Sequence, residues 1–262
     1  MTQIKFYSLL LTLLLATGSL ALAQEENTGF VSQIKVRPGI QLDYFSRTVS
    51  VKDEDIDNTL KSYFLSLNTE FQILDGFSLN AIFGYSFSNF NGMTFRKLPI
   101  SLEMDVGDIG GFLLGFGVQK SFLEFRNLEI DLVGQFLYSF PKQQTWDIPD
   151  LAVTGNAEGK PHWLTVQAGP LFRYTGFAYF LPYLSVGYDR LWGKFNMNEV
   201  IQDLQESEEK DFSSLSHINI TLGFDYEISR AFSVKLQGTA LPHVGFKKMD
   251  FSIMVRLMYA LF

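Results

Sequence analysis

Residues 63–87 read YFLSLNTEFQILDGFSLNAIFGYSF, and the alternation within them decides the fold. Before the turn the odd positions are Tyr63, Leu65, Leu67, Thr69, Phe71 and Ile73, and between them lie Phe64, Ser66, Asn68, Glu70 and Gln72. Successive side chains of an extended chain point to opposite faces, so a period of two makes one face greasy and the other polar. After Asp75-Gly76, a turn-forming pair, the pattern resumes as Phe77, Leu79, Ala81, Phe83, Tyr85 and Phe87 against Ser78, Asn80, Ile82, Gly84, Ser86 and Ser88. The two runs form a predicted β-hairpin.

The same pattern recurs in residues 34–44, 112–124, 128–140, 163–174, 178–190, 216–228, 232–242 and 249–262, which makes ten strands in all. Connections at Asp75-Gly76, Arg126-Asn127, Thr175-Gly176 and Ser229-Arg230 are short, whereas the links at 45–61, 141–162 and 191–215 are long. A membrane barrel has short turns at one end and long loops at the other, and ten strands preserve that alternation. An eleventh run, Leu98, Ile100, Leu102, Met104 and Val106, breaks it if it spans. Segment 98–106 is therefore assigned to a long second outer loop, with twelve strands as the alternative. Keeping lipid-facing residues opposite one another across a short turn requires an odd number between them. Ile73 with Phe77, Tyr174 with Ala178, and Ile228 with Phe232 each leave three, a common hairpin loop. On that register Asp225 stands opposite Lys235.

The expected fold is all-β: a transmembrane antiparallel up-and-down β-barrel of about ten strands. A soluble sandwich would show the same alternation, but strands of 11–14 residues suit a tilted bilayer crossing better than a soluble sheet. Aromatics also gather near strand ends. Tyr44, Tyr63, Tyr85, Phe87, Tyr138, Phe140, Trp163, Tyr188 and Trp192 lie toward the loops, and Phe77, Phe122, Tyr174, Phe180 and Tyr226 toward the turns. Two interfacial girdles are expected. At the N-terminus Lys5 precedes an apolar run from Leu9 to Ala16 and the small-residue ending Ala21-Leu22-Ala23. Residues 1–23 read as a signal peptide cleaved between Ala23 and Gln24, leaving 24–262 as the barrel domain. Cysteine is absent, so neither a disulfide nor a lipid-anchoring thiol is available, and a net charge of −7 argues against nucleic acid as a partner.

The last run places Phe251, Ile253, Val255, Leu257, Tyr259 and Leu261 on one face and closes on Phe262. It resembles the C-terminal targeting strand of outer-membrane barrels, which ends on Phe with aromatics at alternate positions before it. Here Tyr259 and Phe262 fall on opposite faces, one residue out of phase. The mature chain as a whole resembles the broad porin-like outer-membrane β-barrel families common in Bacteroidota. That resemblance implies a location in the outer membrane of a Gram-negative cell, contact with membrane lipid and lipopolysaccharide, assembly by the barrel-assembly machinery, and a monomer.

With the greasy face given to lipid, the opposite face supplies Lys35, Arg37, Glu70, Glu129, Asp131, Arg173, Asp225, Glu227, Lys235 and Arg256, five basic and five acidic. Buried charges persist when paired, and ten strands enclose little more than side chains and water. A salt-bridged, mostly side-chain-filled lumen is expected, with a structural, adhesive or narrow-transport role carried by the outer loops. The alternative is a rim-active hydrolase or lipid-modifying enzyme using His217 and His243, which fall toward the outer loops near Ser214 and Ser216. Asp53, Asp55 and Asp57 open like a calcium loop, but Asn58 and Phe64 stand where that loop needs Gly and Glu. They and the acidic run from Glu199 to Asp211 read as solvated loops bridged to lipopolysaccharide by divalent ions. No catalytic residue, cofactor or protein-held metal is expected.

Overall fold

The computed structural model describes residues 34–261 except 53–56, 91, 100, 104–106, 148–154, 202–203 and 244–247. The proposed cleavage site at Ala23 and Gln24, and Phe262 of the targeting strand, lie outside the described residues. The chain folds into β1 (Lys35–Val51), β2 (Asp57–Leu74), β3 (Phe77–Asn89), β4 (Thr94–Phe95), β5 (Leu102–Glu103), β6 (Asp108–Phe125) and β7 (Leu128–Pro141). It continues through β8 (Gln144–Asp147), β9 (Gly155–Tyr174), β10 (Phe180–Ile201), β11 (Leu204–Ser214), β12 (Ile218–Glu227), β13 (Phe232–Pro242) and β14 (Met249–Tyr259).

Ten of these close a ring of antiparallel neighbours in the order β1, β2, β3, β6, β7, β9, β10, β12, β13, β14, with β14 returning to β1 from Gly39 opposite Met258 to Ser46 opposite Phe251. β8 and β11 join the same sheet at one rim and bring it to twelve strands, whereas β4 and β5 pair only with each other and add no strand to the ring.

The wall wears its apolar residues outward. Outward-facing residues are apolar from Val36 to Tyr44 on β1, from Phe180 to Tyr188 on β10 and from Phe251 to Tyr259 on β14, nine positions in each case, close to the 9–11 residues of a tilted bilayer crossing. Phe83, Phe116, Leu184 and Leu222 are 49, 50, 39 and 64% exposed. A continuous exposed belt of this kind is unfavourable in water and favourable in hydrocarbon, and closing the ring satisfies the backbone groups that lipid cannot. The barrel therefore spans a membrane.

At one rim the chemistry changes sides. On β1 the outward residues become Ser46, Thr48 and Ser50 while Phe45, Val49 and Val51 turn inward and are buried. On β10 Lys194, Asn196 and Asn198 face out, whereas Phe195 and Met197 are buried. Here the expected loops 45–61, 141–162 and 191–215 are corrected, since strands continue through most of them. β1, β2, β9 and β10 run 17, 18, 20 and 22 residues. β11 completes the taller wall, pairing with β10 from Trp192–Ser213 to Ile201–Leu204 and with β1 at Val49–Ser214 and Val51–Phe212. Outside the lipid the ordinary rule for water returns, apolar inside and polar outside.

Two turn details also differ. Ile228 and Phe232 flank a three-residue turn as expected: the ladder ends at Glu227–Ser233, and Ser229 N–H donates to the Phe232 carbonyl at 3.1 Å. The first hairpin ends on Leu74–Phe77 with a register slip at Ile73, and Gly76 supplies the left-handed backbone (φ 68°) that this tight turn requires. Tyr174 does not meet Ala178. Arg173 pairs with Tyr183 and the connection runs from Thr175 to Tyr179, because Thr175 N–H donates to the Asn127 carbonyl of the neighbouring turn at 2.8 Å.

Candidate functional site: a sealed lumen

At the turn end the lumen is polar, a cavity of about 300 Å³ lined by Arg37, Asp43, Arg173, Tyr183, Lys235 and Arg256 among others. The strand period delivers these side chains inward. Arg173 lies 3.0 Å from Glu129 and 3.2 Å from Asp131, which also accepts from Gln119 at 2.6 Å. Lys235 lies 3.6 Å from Asp225, its cross-strand partner, and 4.7 Å from the centre of the Tyr183 ring. Arg37 reaches Glu70 at 3.9 Å. Arg256 is held by an amide instead of an acid: its Nε donates to Gln41 Oε1 at 2.7 Å, Asn68 donates to the same oxygen at 2.9 Å, and Gln41 Nε2 donates to Asp43 at 2.7 Å. Lys35 is exposed beside Val36, and Glu227 lines the cavity without an ion pair among the described residues. The sequence reading missed Gln41 and Asp43, although both share the parity of Lys35 and Arg37 on β1.

Toward the other end an ion pair between Arg47 and Asp189 bridges β1 and β10, with side chains 3 and 0% exposed. Beyond it the lumen is oily. Phe45 packs edge-on against Trp163 at 5.3 Å, with Phe64 6.5 Å from each. Trp163 is a correction: the outward girdle position assigned to it is instead a buried inward one, 1% exposed. Its indole N–H donates to Ser88 Oγ at 3.0 Å, which meets the hydrogen bond that a buried indole needs.

Phe90, Met93, Phe95 and Leu98, between β3 and β6, cap this layer, and Leu98 belongs to segment 98–106, assigned to the second outer loop. Phe90 packs against Phe195 at 5.2 Å and Phe212 at 5.7 Å, and Phe95 against Phe195 at 5.2 Å. Met93 and Leu98 are buried beside them. The cap is tied to β11 where Lys97 N–H donates to Glu208 at 2.8 Å. Glu208 also lies 3.5 Å from Lys210, whose ammonium stands 5.4 Å from the Phe95 ring and is held below its ordinary pKa by burial. The outer mouth is thereby closed by packed rings and the polar chamber opens toward the turns.

The rim histidines stand apart in their surroundings. His217 is exposed with its ring parallel to that of Tyr188, centroids 6.4 Å apart. His243 is nearly buried, 3.0 Å from Asp250, which accepts from Thr48 at 2.8 Å. Ser214 Oγ accepts from Leu191 N–H at 3.0 Å and donates to the Ser216 carbonyl at 3.1 Å. Among the described residues no group of three or more His, Cys, Asp or Glu is arranged to hold a metal ion. Asp53 and Asp55 lie outside the described residues.

No known family and no curated protein matches the chain. Among solved structures it is similar to the attachment invasion locus protein Ail of Yersinia pestis, at 13% identity over 86% of this chain and 97% of that one, with a TM-score of 0.33. It is similar to the outer membrane protease OmpT of Escherichia coli at 9% identity over 86% and 94%, TM-score 0.46. The toluene transporter TodX of Pseudomonas putida matches at 12% identity over 85% and 66%, TM-score 0.36.

Proposed function

We propose that this chain is a monomeric outer-membrane barrel that does not conduct passively and acts through the β-extension it raises above the lipid, in a structural or adhesive role. The observation that carries this reading is the aromatic layer of Phe45, Phe64, Trp163, Phe90, Phe95, Phe195 and Phe212, which fills the lumen between the polar chamber and the outer mouth. Buried rings in mutual contact leave no path for hydrated solutes. Above the lipid the outward face of β9, β10 and β11 offers Lys160, Asn196, Asn198, Glu209 and Asp211 to water, on paired strands and not on free loops. Such a rigid polar platform suits contact with a partner outside the cell. The role is non-enzymatic: the Ser214 hydroxyl is already committed to backbone partners, and His217 lies against Tyr188.

Reconstitution into planar bilayers tests the reading. The purified barrel is expected to insert without steady conductance, and a sustained large conductance would overturn the sealed lumen.

A further inference from the structure

Among the described residues the charges below the aromatic layer do not balance. The lumen there holds Arg37, Arg47, Arg173, Lys235 and Arg256 against Asp43, Glu70, Glu129, Asp131, Asp189, Asp225 and Glu227, while Lys35 is exposed. Five cations thus face seven carboxylates. Arg37, Arg47 and Lys235 each take one carboxylate, and Arg173 takes both Glu129 and Asp131. Asp43 and Glu227 have no ion pair among the described residues. Asp43 accepts from the Gln41 amide, whose oxygen is turned to Arg256, so a dipole stands where a counter-ion would.

Hydrogen bonding is unbalanced in the same sense. Asn219 lines the chamber at 6% exposure with an amide oxygen that accepts no hydrogen bond, and the Asn80 amide oxygen on β3 is likewise unpartnered. The orphan donors, Arg47 Nε and Arg173 Nε, belong to guanidiniums that already meet carboxylates. The chamber therefore lacks positive charge and hydrogen-bond donors together. An ammonium group supplies both, with three donors and no acceptor. Walls of low dielectric focus the field of such an excess and concentrate counter-ions from the water at the open end.

Spacing selects the kind of cation. Asp43 lies two residues before Phe45, under the aromatic layer, and Glu227 ends β12 at the open end. The ladders put Asp43 in one row with Met254, Gln237 and Gly223, and Glu227 comes four residues beyond Gly223. At the rise of a strand the two carboxylates are staggered by about 13 Å. A point ion cannot meet both, and no group of three or more His, Cys, Asp or Glu among the described residues is arranged to hold a metal ion. The lining also carries Val133, Leu137, Leu171 and Leu181, which suit methylene segments, and the cavity of about 300 Å³ is the size of a small-ligand pocket. From this geometry we infer that the chamber binds a linear aliphatic polyamine, which enters from the turn side and sets its end ammonium groups at Asp43 and Glu227. The inference rests on the sealed lumen and gives its open half a ligand.

Titration calorimetry on the full chain in a neutral detergent, near neutral pH and at low salt, tests the site. Spermidine is expected to bind one to one and about tenfold or more tightly than butylamine, since each further ammonium gains a charged hydrogen bond. Glu227→Gln should weaken spermidine binding about tenfold with the β-sheet circular dichroism unchanged, and Asp43→Asn should do the same. Glu206→Gln, outward on β11 above the lipid, keeps the wild-type constant. Absence of saturable heat, an equal constant for butylamine, or full affinity in Glu227→Gln overturns the site. Displacement of spermidine by an equal concentration of magnesium assigns the excess charge to an inorganic cation and overturns the polyamine. Binding needs the chamber and not the seal, so a conducting barrel that still takes up spermidine overturns the sealed lumen alone.

Discussion

Arg47 on β1 and Asp189 on β10 meet across the lumen, 142 residues apart in sequence, with both side chains withdrawn from water. Asp189 also accepts from Gln167, its backbone N–H donates to the His217 carbonyl at 3.0 Å, and the Arg47 guanidinium lies 5.7 Å from the Phe45 ring. The pair thus forms the boundary at which the polar chamber ends and the aromatic layer begins.

Removing one partner leaves an uncompensated buried charge, so Asp189→Asn or Arg47→Met should cost about 3–5 kcal/mol. The double variant Arg47→Met/Asp189→Leu should recover most of that loss, because replacing both members with apolar groups is often close to neutral. Urea unfolding in a fixed detergent measures the cycle, and additive losses would contradict the account.

The aromatic cap predicts a change in conductance as well as in stability. Phe195 is fully buried, and Phe195→Ala should cost about 3–5 kcal/mol. The Phe90→Ala/Phe95→Ala double variant should show open events in planar bilayers that the wild type lacks. Phe122→Ala, at a site 83% exposed near the turns, should leave the trace silent.

The change of sides along each strand predicts opposite outcomes for one substitution. Leu222→Arg, at the middle of the outward belt of β12, should cost about 2–4 kcal/mol in a bilayer. Asn198→Arg, also outward but above the lipid, should change stability by no more than about 0.5 kcal/mol. Equal effects at the two sites would place them in one solvent.

Much of the ring was legible because the period of two survives in every spanning strand, as Tyr63 to Ile73 and Phe77 to Phe87 show. The ion pair of Asp225 and Lys235 followed from parity and one turn length. The extensions were not legible, for a physical reason: Lys194-Phe195-Asn196-Met197-Asn198 alternates as cleanly as any spanning segment, but period does not say which face is wet. The same ambiguity misplaced Trp163, since an indole at a strand end suits a lipid interface and a buried cluster equally well until its Ser88 partner is known. The partnership of Arg47 with Asp189 joins strands far apart in sequence and leaves no local signal.

Direction of the greasy face is the premise beneath all of this, and the absence of native cysteine allows it to be read one position at a time. Spin labels on single cysteines at positions 83, 222, 198 and 235, in protein reconstituted into vesicles, report collisions with oxygen dissolved in lipid and with a water-soluble nickel chelate. The account predicts oxygen-dominated collisions at 83 and 222, chelate-dominated collisions at 198, and restricted access to both at 235. Labels at 83 and 222 that collide mainly with the chelate would contradict it.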